Sequence, residues 1–292
     1  MKNKILLAIS IILITIPLSG CKNEIVLSGN YETGLRYKEE RLYTNAILSF
    51  EKALEENPQL SNAYLEIANI YDLKGLYEKA LETLEIGIEN SNEKGELYFE
   101  KAQILFKMQD YEDAIDNYNK ALKHGYNSDN ALIKKGQSFI KLEKFQEAIT
   151  ELENISKNSD YFEEANYYLS VLETDNYSKA LAYIELVKKT TNNEIKSNAT
   201  TFKDLLLEIT EKDSDSETNK NYIKLLHGYA LIKIEQFEIA KKVILPVARF
   251  YEEEGKPSYQ ANFYLGSIYY HLKDYEAAKN ELMTSIVANP TD

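Results

Sequence analysis

Side chains able to act as nucleophiles or metal ligands are scarce: one cysteine, Cys21, and three histidines, His124, His227 and His271, in 292 residues. A lone cysteine forms no intramolecular disulfide, and with histidines so far apart it completes no Cys-based zinc site. No Gly-rich phosphate loop, HExxH, GxSxG or paired-cysteine spacing occurs, so no catalytic residue, metal ligand or bound cofactor is expected. Glu252, Glu253 and Glu254 precede Gly255-Lys256-Pro257. They read as a solvated helix end, because calcium ligands come from an irregular oxygen-rich loop. His124 precedes Gly125 at a helix C-terminus, where it suits the helix dipole. His271 follows Tyr269-Tyr270 with no second histidine one turn away. The excess of 47 acids over 34 bases, −13 in all, excludes general nucleic-acid affinity, which depends on neutralising phosphates.

The single thiol has a telling position. Lys2 and Lys4 precede an apolar run, Ile5 to Leu18, of 14 residues. That run is too short for a stable membrane-spanning helix, which needs about 20 residues, and reads as the core of a cleaved signal. It closes on Leu18, Ser19, Gly20 and Cys21. This ending resembles the lipobox of bacterial lipoproteins, in which small residues admit the peptidase and the thiol accepts the lipid. The resemblance implies that residues 1–20 are removed and that Cys21 becomes an acylated first residue, the covalent lipid being the only added group. Loss of Lys2 and Lys4 leaves 32 bases and a net charge of −15. Such a charge disfavours lying on an anionic leaflet, so the lipid is expected to hold the protein to the membrane. The address implied is the extracytoplasmic side of a bacterial envelope, with inner and outer membrane both open.

The elements beyond the leader follow a period. An aromatic-x-x-alanine element places alanines at 46, 80, 114, 148, 180, 240 and 278, with spacings of 34, 34, 34, 32, 60 and 38. Twelve residues before most of them stands a small residue: Gly34, Ala68, Ala102, Gly136, Gly228 and Gly266. A bulky residue follows each alanine by four: Phe50, Leu84, Tyr118, Leu152, Ile184, Ile244 and Leu282. Small residues belong where helix backbones approach, and bulky ones fill the adjoining space. Asn57-Pro58 and Asn289-Pro290 end their units.

With Gly34, Tyr37, Tyr43, Ala46, Phe50, Ala53 and Pro58 in the first unit, and Leu265, Gly266, Tyr269, Tyr275, Ala278, Leu282 and Pro290 in the last, the chain resembles the tetratricopeptide repeat family. The first-helix tryptophan of that family is replaced by Tyr64 and Tyr98. The resemblance implies an all-α fold, a right-handed superhelical solenoid of about seven helix-turn-helix pairs with a concave groove. It also sets His227 where the family has an interior leucine, so a hydrogen-bonded core histidine is expected there.

The period breaks after the fifth unit. Either Tyr168 or, with a two-residue deletion, Ser170 takes the small position. Within the following segment Phe202, Leu205, Leu206 and Ile209 have the spacing of one amphipathic helix, and 213–220 reads as a solvated linker. The expected organisation is a signal over 1–20, a tether over 21–29 and an array of about five repeats over 30–188. A degenerate helix and linker over 189–220, acting as a hinge or as a helix in the groove, then precede two repeats over 221–292.

In the resembling family, first helices line the groove and the residue after each small landmark is a common contact. That row reads Leu35, Asn69, Gln103, Gln137, Tyr229 and Ser267, with Tyr31, Phe99 and Phe106 as flanking aromatics. Amides between rings suit the backbone of an extended peptide. Lys107, Lys134 and Lys141 suggest a positive wall, hence an acidic or neutral segment. The leading expectation is a non-enzymatic scaffold that binds a segment of another envelope protein. The competing one is glycan capture by Phe99, Phe106, Phe263 and Tyr270. Neither the partner nor the oligomeric state is readable.

Overall fold

The computed structural model describes residues 29–211 and 217–289. The leader, the lipobox with Cys21, and linker residues 212–216 lie outside the described residues. Fifteen helices and no strand occur among the described residues. The first five units are the pairs α1 (Gly29–Glu39) and α2 (Tyr43–Glu56), α3 (Ser61–Leu73) and α4 (Tyr77–Asn90), α5 (Gly95–Lys107) and α6 (Tyr111–Lys123), α7 (Ser128–Lys141) and α8 (Phe145–Glu153), and α9 (Phe162–Leu172) and α10 (Tyr177–Ile184). A single helix, α11 (Asn193–Glu211), precedes α12 (Glu217–Lys233) with α13 (Phe237–Glu253), and α14 (Tyr259–His271) with α15 (Tyr275–Ala288). The result is a helical-repeat solenoid of seven pairs plus one helix.

The landmarks meet as their spacing requires. All seven period alanines are buried, and each glycine among the small residues faces the bulky residue sixteen positions on. A methyl group built on Gly34 would lie 2.5 Å from the Phe50 ring, on Gly136 3.0 Å from Leu152, on Gly228 2.2 Å from Ile244 and on Gly266 2.5 Å from Leu282. These contacts close the two helices of a pair. The residue three before each small landmark is an interior position: Tyr31, Leu65, Phe99, Ile133 and Leu225 are all buried. In the last pair the same position, Phe263, is 46% exposed.

Five residues before most of the alanines the chain turns through left-handed backbone, at Arg41, Gly75, Gln109, Glu143, Glu235 and Lys273. Only Gly75 adopts that φ without a side-chain penalty of about 1–2 kcal/mol. Gln109 is exposed, with φ 68°, and its N–H bond to the Phe106 carbonyl at 3.0 Å does not need the side chain. Gln109→Gly is therefore expected to stabilise the fold by about 0.5–1 kcal/mol, the entropy of a freer unfolded glycine taking back part of the gain. Urea denaturation checks it, and Gly75→Ala should shift the midpoint the opposite way.

The fifth unit shows how the period breaks. Ser170, not Tyr168, is the fully buried small residue, its Oγ donating to the Tyr167 carbonyl at 2.6 Å, so the two-residue deletion gives the structural register. Tyr168 is displaced onto the inner face. Beyond it, α11 packs between α10 and α12 and buries Phe202, Leu206 and Ile209. One apolar core runs from Ile133 to Ile268 through α11, which is thus a member of the stack and not a helix lying in the groove.

After this extra helix the chain comes back against the fourth unit. Lys141 of α7 pairs with Glu238 of α13 at 2.7 Å, Lys241 pairs with Glu143, and the Lys242 ammonium lies 5.1 Å above the Phe145 ring. These contacts span about a hundred residues of sequence and join the α7–α8 turn to the start of α13.

Candidate functional site

First helices α1, α3 and α5 together enclose a concave cradle of about 360 Å³. Tyr31, Asn69, Glu66, Glu96 and Glu100 line it. Tyr31 is held by the Phe50 ring, 5.4 Å away, and burial followed by the nearby Glu66 and Glu96 charges raises its phenol pKa. Glu66 is matched by Lys38. Glu100 accepts a bond from the Gln103 amide at 3.4 Å, yet burial, with repulsion from Glu96 adding to it, pushes its carboxyl above the usual range. Glu96 is exposed and forms no ion pair among the described residues, so the cradle has a net negative field.

The row after the small landmarks lies at one depth: Leu35, Asn69, Gln103, Gln137, Tyr229 and Ser267 are all half-buried. Its amides are not equivalent. Asn69 opens into the cradle, and Gln103 leans on Glu100. Gln137 is committed to the protein itself, with Nε2 donating to Glu164 at 3.2 Å and to the Tyr168 hydroxyl at 2.9 Å, and Oε1 accepting from Lys134 at 3.3 Å. Burial raises the Glu164 carboxyl, while Lys134 and Gln137 draw it down. Tyr229 stacks on Tyr264 at 5.7 Å with the Lys233 ammonium 5.1 Å from its ring.

Two expectations are corrected. Phe99 does not flank the groove: it is 2% exposed, stacked 4.2 Å from Tyr126 and tilted against Tyr118, as an interface position between units. Phe106 alone of that pair stays half-buried, edge-on to Tyr111 at 5.2 Å. Glycan stacking thereby loses one of its rings. The lysine wall is also cancelled, since Lys107 pairs with Asp72 at 2.6 Å, Lys141 with Glu238, and Lys134 faces Gln137 and Glu164. Glu66, Glu96, Glu100 and Tyr168 are the inner-face residues that the sequence reading passed over. Glu66, Glu100 and Lys134 share one position, two before the small landmark, a register visible in the sequence.

The histidines are far apart in their surroundings. His124 stacks on Tyr98 and His271 lies 4.3 Å from the Phe237 ring, parallel to it. His227 is fully buried as expected, but neither ring nitrogen has a hydrogen-bond partner. It meets Tyr177 edge-on at 5.1 Å and Phe202 at 5.8 Å, and desolvation pushes its pKa down to about 3. Of the Glu252–254 run, Glu252 is no free carboxylate: Arg249 grips both its oxygens at 2.7 Å, and Asn262 donates to it at 3.1 Å.

The comparisons agree with this architecture. Residues 225–292 match the tetratricopeptide repeat family, and residues 39–121 and 88–155 match the family of the anaphase-promoting complex, cyclosome, subunit 3. No curated protein matches the sequence. Among solved structures, the chain is similar to the C-terminal part of a TPR repeat-containing protein from Cytophaga hutchinsonii, at 18% identity and TM-score 0.51 over 90% of this chain and 96% of that one. A tetratricopeptide repeat protein from Parabacteroides merdae is 14% identical, with TM-score 0.48 over 89% and 92% of the two chains. The chain thus carries tetratricopeptide-type repeats, a fold of the protein-binding kind.

Proposed function

We propose that this tetratricopeptide-type repeat chain is a membrane-anchored, extracytoplasmic scaffold whose concave groove holds an extended segment of another envelope protein. The cradle at Asn69 carries the reading: an open amide on α3 lies beside Glu96 and Glu100 of α5, with Tyr31 of α1 closing the other side. An extended backbone pairs with the amide, and the carboxylates favour a neutral to basic segment over an acidic one. The anchor rests on Leu18-Ser19-Gly20-Cys21, where the sole cysteine stands at the cleavage position. Only seven residues separate Cys21 from Gly29, a reach under about 30 Å, which keeps the groove close to the bilayer. A net charge of −15 leaves the lipid as the means of attachment.

Cys21→Ser tests the anchor. The variant is expected to incorporate no palmitate and to keep its leader uncleaved, the apolar run Ile5 to Leu18 then holding it in the membrane in place of the lipid; a variant that incorporates palmitate, or is processed like the parent chain, ends the lipoprotein reading. Combining Asn69→Ala with Glu100→Gln should lower recovery of the partner segment at least tenfold without altering the fold, and unchanged recovery moves the interaction off the cradle.

A further inference from the structure

A second cavity, of about 200 Å³, lies where the inner face of α5, α7 and α9 meets the α12–α13 turn. Pockets that enclose a whole small molecule run from about 300 to 1,000 Å³, so this one is sized for a single long side chain. Phe106 and Tyr168 give it aromatic walls. Both amide protons of Gln137 on its lining are already donated, to Glu164 and Tyr168, and the Gln236 amide donates to the Ile234 carbonyl at 3.4 Å.

Charge at the mouth is unbalanced in one direction. Lys141 is matched by Glu238 at 2.7 Å, and Lys134 stands against Glu164. Glu235, exposed on the left-handed turn with φ 59°, lines the cavity and forms no ion pair among the described residues. One carboxylate beside aromatic faces is the complement of a planar cation on an apolar stem: a guanidinium stacks on rings and takes a carboxylate in a two-pronged bond.

We propose that this cavity is the socket for an arginine side chain of the bound segment. The inference rests on the groove reading and adds to it: because Phe106, Gln137 and Tyr168 come from the first array and Glu235 from the turn before α13, an arginine seated there ties the two arrays together. The ligand is then read at two points, an extended stretch at the Asn69 cradle and one cation at the socket.

The test titrates the full chain with the capped tripeptide acetyl-Gly-Arg-Gly-amide, following the Gln137 side-chain amide by NMR. Its controls replace arginine with citrulline, which keeps the shape and removes the charge, or with glutamate. Saturable shifts with at least fivefold preference for arginine over citrulline are expected. Glu235→Gln should abolish that preference and Glu235→Asp should keep it, with thermal melting unchanged in both. Equal binding of arginine and citrulline, preference for glutamate, or an arginine preference that survives Glu235→Gln overturns the socket. Asn69→Ala leaves tripeptide binding intact, so a failed cradle and a failed socket give different results.

Discussion

Gly228→Leu is expected to collapse the packing of α12 against α13 and to destabilise the chain by more than about 3 kcal/mol. Overpacking a filled site ordinarily costs about 1–3 kcal/mol, and here even the first added carbon lies 2.2 Å from Ile244 Cγ1. Ile244 is wholly buried, so any shift it makes is into a packed interior. Helix propensity acts in the other direction, favouring alanine over glycine by about 1 kcal/mol in a helix interior. The sign for Gly228→Ala is therefore diagnostic: propensity alone predicts a more stable protein, whereas the close approach predicts a loss of about 1–2 kcal/mol. Gly29→Ala, at the first residue of α1 with nothing within 4 Å of the new carbon, meets neither the crowding nor the interior propensity and should be neutral. Urea unfolding followed by circular dichroism gives all three numbers.

The second large effect is acid sensitivity set by His227. Its imidazole is fully buried without a hydrogen bond, and desolvation lowers its pKa from 6.5 to about 3. The unfolded chain therefore takes up the proton first, and stability falls as pH drops from about 6.5 towards 3. By pH 4.5 the loss from this one residue is roughly 2–3 kcal/mol. Glu100 and Glu164 run in the opposite sense. Their raised values mean that the fold binds protons before the unfolded chain does, so their contribution grows on acidification and is lost as pH rises through the folded values. His227→Leu isolates the histidine: it places there the residue that Leu265 supplies at the same position of the last pair, removes two unsatisfied buried nitrogens and should be equal or more stable at pH 7. The variant is expected to lose most of the stability drop between pH 6.5 and 4.5. An unaltered pH profile would mean that the imidazole is not the group responsible.

The fold was legible because each landmark column has one physical job. The alanine column, the small column and the bulky column are each of one size class along the chain, and the glycines of the small column meet the bulky residue sixteen positions on within the same unit. Phe99 was misplaced for want of the same reading. Its own column, Tyr31, Leu65, Phe99, Ile133 and Leu225, is uniformly large, apolar and buried, the mark of a packing position, and of these Tyr31 and Leu65 alone also reach the cradle. The lysine wall failed for a different reason. Lys107 finds Asp72 one unit back, and Lys141 finds Glu238 on a helix 97 residues onward, pairings fixed by superhelical geometry that no local spacing encodes. The socket is hidden for the same cause, since Glu235 reaches Phe106 and Tyr168 only because α11 is built into the stack. His227 was recognisable as interior, but its missing hydrogen bonds depend on what α10 and α11 bring to it, two aromatic rings and no polar partner.

The central claim is that the inner face, and not the outer one, holds a protein segment. A photo-crosslinking amino acid placed in turn at Asn69 and Ser267 on first helices, and at Glu82 and Asn119 on exposed second-helix faces, tests it in the native envelope. The account predicts one discrete protein adduct from the inner positions, reduced by Glu100→Gln, and none from the outer pair. Adducts of the same protein from Glu82 and Asn119, with none from Asn69, would contradict it.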